Sequence, residues 1–377
     1  MVKGRQYPHN HEDLVTVGGK EVIFRDGYEY VAGEVAVASE DLDRALEILK
    51  RSIGKRGEVS SDADGSGVAV VEFTADSDPL VVVRRLESAG IAASPNHVLH
   101  TTWHSTYIGT GQPKPAKPSR WFRDQLNRSL KMEGGPLVAV IDTGITAHPN
   151  LRVRSVGRAS EPLTDPASKV YGHGTFVAGL IASECPEADI RMLRAGFASR
   201  DSNWFGLVTD VELARTIDTA LAKIRNIDVL NLSIGGYTHD GRSLFATGRS
   251  VAKAIRLGVT VVAGAGNDGR RDAFYPAADP GVIAVGSLDS KGARSCFSNT
   301  GPWVDLQAIG EDVVSTYPIG EIHRMALPEG GAPGCPPQPA VPEQTVDYNT
   351  GFARWSGTSF SAARISGAIA RTRIDRS

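Results

Sequence analysis

Cysteine is scarce in this 377-residue sequence. Cys185, Cys296 and Cys335 lie far apart with no C-x-x-C pair among them, so neither a zinc knuckle nor a disulfide framework is expected, and an odd, sparse count suits a reducing compartment. Neither sign of charge is in excess. Forty-one Lys and Arg against 43 Asp and Glu leave a formal net charge of −2, which excludes a global field drawing the chain to nucleic acid or to an anionic membrane. Long apolar runs are missing as well. The opening "MVKGRQYPHNHEDLVTVGG" holds no apolar leader segment, and runs such as "PLVAVI" are far too short to cross a bilayer. The expectation is a soluble, cytoplasmic chain without a membrane partner. What is present is an ordinary globular balance, 41% hydrophobic and 22% charged, with length enough for two domains.

After an N-terminal extension, residues 1–26, element types alternate from Gly27 to His100. "YVAGEVAVA" reads as a strand, and Ser39 caps a helix in which Leu42, Ala45, Leu46, Leu49 and Ile53 recur at helical spacing. Two strands flank the turn-rich "DADGSG". Asp78 and Pro79 open a second helix and Gly90 stops it. A last strand in "IAASPNHVLH" completes β-α-β-β-α-β, the order of a ferredoxin-like α+β module. A Pro-rich linker follows over 101–120. From 121 to 377, "PLVAVID", "DIRMLRAG", "DVLNLSIGG", "VTVVAGAGN" and "VIAVGSLD" alternate with helical runs, so a mostly parallel sheet covered on both faces is expected: a three-layer α/β/α domain. Within it, 319–352 is a Pro/Gly-rich insertion without helical or strand period, expected as a surface loop or disordered segment.

Gly264, Gly266 and Gly269 in "VVAGAGNDG" spell G-x-G-x-x-G after a β-branched run. A dinucleotide site needs that turn to open a helix, whose free N–H groups hold the pyrophosphate. Here "RRDAFYPAADPG" follows, and Pro276 and Pro280 break any helix. A nucleotide cradle is therefore rejected, and Asn267 becomes the residue of interest. Three others stand out. Asp142 ends an apolar strand, the place where parallel sheets assemble sites, although alone it reads as a cap or turn residue. His173 sits between Gly172 and Gly174, which let neighbouring backbone approach closely. Ser359 opens a helix rich in Ala362, Ala363, Ser366, Gly367 and Ala370, small side chains that suggest passage through the middle of the domain. A serine there is a simple cap or, near the helix's positive end, a nucleophile.

Asp142, His173 and Ser359 occur in the chain order Asp, His, Ser of one convergent form of the nucleophilic triad. Together with "VIDTGI", "GHGTFVAG", "NLSIGG", "AGNDG", "FYPAADPGVIAVGS" and "GTSFSAA" in sequence order, they make the chain resemble the subtilisin-like serine proteases from about Leu137 to its C-terminus. The resemblance implies a serine endopeptidase with a polypeptide substrate. Ser359 would be nucleophile, His173 general base, Asp142 its orienter, and Asn267 with the Ser359 N–H the oxyanion donors. It also implies that Ser233, Ile234 and Gly235 pair with extended substrate, while Gly264, Ala265 and Gly266 form the opposite wall; Arg270, Arg271 and Asp272 could bias selectivity.

No cofactor is implied, and structural calcium is not readable from the sequence. The module over 27–100 resembles the family's propeptide by element order, so it is expected to be an intramolecular inhibitor, against the alternative of a permanently attached domain. His97, His100 and His104 read as exposed polar filler at its end, with no thiol or carboxylate shell for a metal. The sequence departs from the family pattern at Ala363, where proline is common, at Arg364, at Phe176, where a second histidine is common, and in having only 18 residues after Ser359. A protease-like fold kept for binding peptides is the alternative function.

Overall fold

The computed structural model describes residues 16–17, 19–50, 59–60, 67–73, 77–101, 111–157, 172–195, 207–324, 329–330, 332 and 334–374. The N-terminal module runs β1 (Thr16–Val17), β2 (Lys20–Arg25), β3 (Tyr28–Ala38), α1 (Leu42–Lys50), β4 (Val59–Ser60), β5 (Val68–Glu72), α2 (Pro79–Ser88) and β6 (Ala93–His100). β3 pairs antiparallel with β5 and with β6, and β5 with β4, so the order β6-β3-β5-β4 is that of a ferredoxin-like sheet. Asp78 accepts from Leu80 N–H with Pro79 in the first turn of α2. Ser39 does not cap α1; it begins a 3-10 turn, Ser39–Asp41, ahead of it. One face of the sheet buries Val35, Val37, Ala69 and Val71 against α1 and α2.

The chain continues as β7 (Lys114–Pro115), α3 (Arg120–Ser129), β8 (Leu137–Asp142), β9 (Arg154–Ser155), α4 (His173–Glu184), β10 (Asp189–Arg194), β11 (Leu207–Thr209), α5 (Asp210–Lys223), β12 (Val229–Leu232), α6 (Thr247–Arg256), β13 (Thr260–Gly264), β14 (Ile283–Leu288) and β15 (Leu306–Ile309). Seven strands form a parallel sheet in the order β15-β14-β13-β12-β8-β10-β9. Alternation along each strand feeds two cores. Val138, Val140, Met192, Val229 and Val262 face α3, α4 and the C-terminal helix; Ala139, Ile141, Leu230, Leu232 and Val261 face α5 and α6. That is the expected three-layer α/β/α domain.

The remaining elements are β16 (Val313–Thr316), β17 (Glu321–Arg324), β18 (Gln344–Asp347), β19 (Phe352–Trp355) and α7 (Thr358–Ile374). They correct two expectations. The insertion over 319–352 is not a structureless loop: β17 and β18 pair as a hairpin, and Arg324 and Tyr348 are buried with Tyr317, the guanidinium bonding both phenol oxygens. Nor are all cysteines free. Cys296 and Cys335 form a disulfide that ties the insertion to the main domain, and only Cys185 is a buried thiol. Linker residues also dock: β7 pairs with β19, and Trp355 Nε1 donates to Gly111 O.

Candidate active site

β8 delivers Asp142 to the carboxyl edge of the sheet, fully buried, where its Oδ1 accepts Thr143 N–H at 2.7 Å. The first residue of α4, His173, places Nδ1 2.7 Å from the same oxygen. Because a carboxylate only accepts, that nitrogen donates, which fixes the tautomer with Nε2 on the far side. The flanking glycines permit this approach. Gly172 has φ +81°, and a Cβ on it would overlap the Tyr317 ring; a Cβ on Gly174 would overlap the Gly144 carbonyl oxygen and sit 3.3 Å from Asp142 Oδ1.

Ser359 is the second residue of α7, and the next ring, Phe360, lies 5.4 Å from the His173 imidazole, with Trp355 edge-on at 5.5 Å. α7 crosses beneath the sheet because it is built of small residues: Ala362, Ala363, Ser366 and Ala370 are buried, and a Cβ on Gly367 would press on Ile181 and Glu184 of α4. The departures from the family pattern have local explanations. Phe176 packs against Phe360 with ring centroids 4.3 Å apart and the planes tilted, and Arg364 pairs with Glu184 at 2.6 Å.

Asn267 lies in the loop after β13. Its Oδ1 accepts from Thr358 N–H at 2.9 Å and from Thr358 Oγ1 at 3.0 Å, and Gly266 N–H donates to the same Thr358 hydroxyl at 3.1 Å. The loop is thus fastened to the residue before Ser359, with the amide's donor edge pointing away from Thr358. Gly264 is glycine for a steric reason: its Cβ would lie 3.2 Å from Ser359 N. The structure therefore gathers Asp142, His173, Ser359 and Asn267 around one end of α7. Among the described residues, no group of three or more His, Cys, Asp or Glu is placed to hold a metal.

The segment Ser233, Ile234 and Gly235 follows β12 and is buried. Its edge is already paired: His100 N–H donates to Gly235 O at 2.9 Å and Gly235 N–H to His100 O at 2.8 Å. On its other side β6 pairs antiparallel with β11, Thr209 opposite Val98 and Leu207 opposite His100. This second edge, a three-residue strand ahead of the Thr209 cap of α5, was missed in the sequence; its one signal is the short run "LVT" before the capped helix. The histidine reading is also corrected. His97 and His100 are buried in β6, because that strand lies between β3 and β11; His104 lies outside the described residues. Arg270 stacks over Tyr237 at 4.0 Å and pairs with Asp272 at 2.9 Å.

Residues 133–375 match the model of the subtilase family. The chain belongs to that family. It is 36% identical over 193 residues to the thermostable alkaline protease of Halalkalibacterium halodurans, covering 48% of this chain and 50% of that one. It is 34% identical over 240 residues to subtilisin E of Bacillus subtilis, covering 60% and 58%. It is 31% identical over 306 residues to the thermophilic serine proteinase of a Bacillus species, covering 76% and 72%. The chain thus spans half to somewhat over half of the first two relatives. Among solved structures it resembles fervidolysin from Fervidobacterium pennivorans, a keratinolytic enzyme related to subtilisin. The TM-score is 0.61 at 20% identity, over 97% of this chain and 59% of that one, a likeness of fold that takes in the N-terminal module as well. Among the described residues of this subtilase chain, no helix is long and apolar enough to cross a membrane.

Proposed function

We propose that this chain is a serine endopeptidase whose own N-terminal module blocks its cleft. The observation that carries the reading is the buried His173 to Asp142 bond at 2.7 Å, set against the helix start that bears Ser359. In the proposed reaction His173 Nε2 takes the Ser359 hydroxyl proton as Oγ attacks a peptide carbonyl. The oxyanion accepts from Asn267 Nδ2–H and Ser359 N–H, donors held in place before the reaction and therefore effective in a water-poor site. His173 then protonates the leaving amine, and water attacks the acyl-enzyme by the same base. Asp142 orients the imidazole and stabilises its cation. The side chains of Ser359, His173, Asp142 and Asn267 together with the Ser359 N–H carry this chemistry; a structural calcium is not assigned.

An extended substrate would add a strand between Gly235 and β11, taking affinity from main-chain bonds and selectivity from the wall Gly264, Ala265 and Gly266. β6 makes those same bonds, which supports the module as an intramolecular inhibitor rather than a spectator. Its sheet also buries Ala36, Val68 and Val70 against Val211, Ala214 and Ala246. The proposal favours an oxidising compartment over the cytoplasmic location expected from the sequence, because a disulfide such as Cys296–Cys335 persists there.

Intact mass and peptide hydrolysis test the reading together. The parent is expected to cleave peptides and to lose a segment ending beyond His100, while Ser359→Ala stays whole and inert. Hydrolysis without such a loss would make the module a permanent domain; no hydrolysis by a folded parent would leave a peptide-binding protein.

A further inference from the structure

Asn299 lies beyond β14, 1% exposed, and no motif in the sequence singles it out. Its carboxamide is fully used. Oδ1 accepts from Asp268 N–H at 3.1 Å and from Arg270 N–H at 2.9 Å; Nδ2 donates to Ala265 O and to Tyr237 OH, each at 2.9 Å. An amide has two donors and one oxygen with two lone pairs, so all four positions are filled, and a flipped carboxamide would set its NH2 against two N–H donors. The backbone adds to the clasp: Asn299 N–H donates to Gly266 O at 3.0 Å, Gly269 N–H to Phe297 O at 2.8 Å, and Thr300 N–H to Arg270 O at 2.9 Å.

Every one of these bonds except that to Tyr237 reaches the loop 265–270, and they fall on both sides of Asn267. Gly266, with φ +94°, must lack a side chain here because a Cβ would overlap Asn299 Nδ2. Tyr237 completes the frame by donating to Asp268 Oδ2 at 3.0 Å. Asn267 itself is anchored from the opposite side by Thr358. The loop is therefore clamped twice, by the helix that bears Ser359 and by Asn299.

We propose that Asn299 is a positioning residue for catalysis: it holds the 265–270 loop so that the Asn267 amide meets the oxyanion, without touching substrate itself. This rests on the endopeptidase reading above. An oxyanion donor works because it is aimed before charge develops, and misplacement of a catalytic group by about 1 Å costs about 100-fold. A generic packing residue would lower activity equally whether or not Asn267 is present; a positioning residue acts through it.

The test is a double-mutant cycle on the full chain, reading kcat and KM on one peptide substrate. Asn267→Ala is expected to lose about 10²- to 10³-fold in kcat, the size known for loss of such a donor within this family. Asn299→Ala should lower kcat by about 10- to 100-fold with Asn267 in place, and by no more than about threefold in the Asn267→Ala background, where the residue has nothing left to aim. Asn299→Asp keeps both acceptor bonds but sets a buried carboxylate oxygen against the Ala265 carbonyl that Nδ2 bonded, and should lower kcat at least as far as alanine does while Asn267 is present. If the Asn299 variants do not fold, Tyr237→Phe removes one partner of the carboxamide and carries the same cycle at smaller amplitude. Equal losses in both backgrounds, or no loss from any of these variants while Asn267→Ala is impaired, would overturn the proposal. A folded parent with no hydrolysis would instead strike down the endopeptidase reading.

Discussion

Acidification should loosen the N-terminal module, and the structure sets the size of the effect. His97 of β6 stacks on His239 of the main domain, ring centroids 5.3 Å apart. Its Nε2 accepts His239 N–H at 3.2 Å and lies 3.3 Å from His239 Nδ1. Its Nδ1 lies 3.5 Å from Ser94 Oγ, and the Tyr28 ring stands edge-on to both imidazoles. Asp240, 4.0 Å from His239, and Glu87 favour the charged form of His239, while Arg242 opposes it. Burial, and next the neighbouring His239, push the His97 pKa down from 6.5 to about 3; burial lowers His239 too. His97 is therefore neutral when docked at any pH well above 3, and its protonation would cost the Nε2 acceptor that His239 N–H uses.

The direction follows from proton counting. Below pH 6.5 the undocked module binds protons that the docked one does not, so docking is at full strength above that pH and is lost progressively as pH falls toward 3. Between pH 7.5 and 5.5, His97 alone should weaken docking by up to about tenfold, about 1.4 kcal/mol, the limit reached if undocking frees its ring from burial, and His239 adds in the same direction. Hydrogen exchange at Val98–His100 and Leu207–Thr209 in the Ser359→Ala chain, which the proposed reaction would leave whole, corrected for intrinsic rates, reads this opening. Protection should drop at least tenfold over that range in the Ser359→Ala chain and up to about tenfold less steeply once His97→Gln is added, since glutamine keeps an acceptor that does not titrate while His239 and His100, both lowered by burial, still do. A pH-independent interface, or an equal slope in His97→Gln, would refute the reasoning.

Two further outcomes are expected. Reducing Cys296–Cys335, which closes a loop of sequence separation 39, should lower unfolding free energy by up to about 4 kcal/mol on loop-entropy grounds; urea melts with and without reductant measure it, and coincident curves would mean that the pairing does not constrain the chain. Gly174→Ala must push its Cβ into the Gly144 carbonyl beside Asp142, so melting temperature and hydrolysis should both fall, hydrolysis by about 100-fold if the His173 approach shifts by about 1 Å. Gly292→Ala is the control: its Cβ meets nothing within 4 Å, and only left-handed strain of about 1 kcal/mol remains.

The parallel sheet was legible, and the four candidate site residues could be named, because each motif sits where a continuous apolar strand stops or a small-residue helix starts, and both patterns are local. "PLVAVID" announces both the strand and the carboxylate at its end. What escaped is what partners decide. β11 has three residues and is a strand only because β6 lies beside it. His97 and His100 look polar and turn-bound, yet pairing on both sides of β6 buries them. The hairpin of β17 and β18 has too few residues for a period, and the burial of Arg324 and Tyr348 at its base depends on Tyr317 and on the Pro113 carbonyl that Tyr348 bonds. Asn299 is one asparagine in a turn until the loop it clasps is in view. The Cys296–Cys335 pairing joins segments 39 residues apart, and nothing local specifies it.

Activated-serine labelling tests the central claim most directly. A small fluorophosphonate needs the nucleophile, its base and the oxyanion donors but not the Gly235 edge that β6 pairs with. Mass spectrometry of the labelled chain should find one adduct, on Ser359, and a loss of that adduct in His173→Ala. An unlabelled parent, or labelling of Ser359 that persists undiminished without His173, would contradict the account.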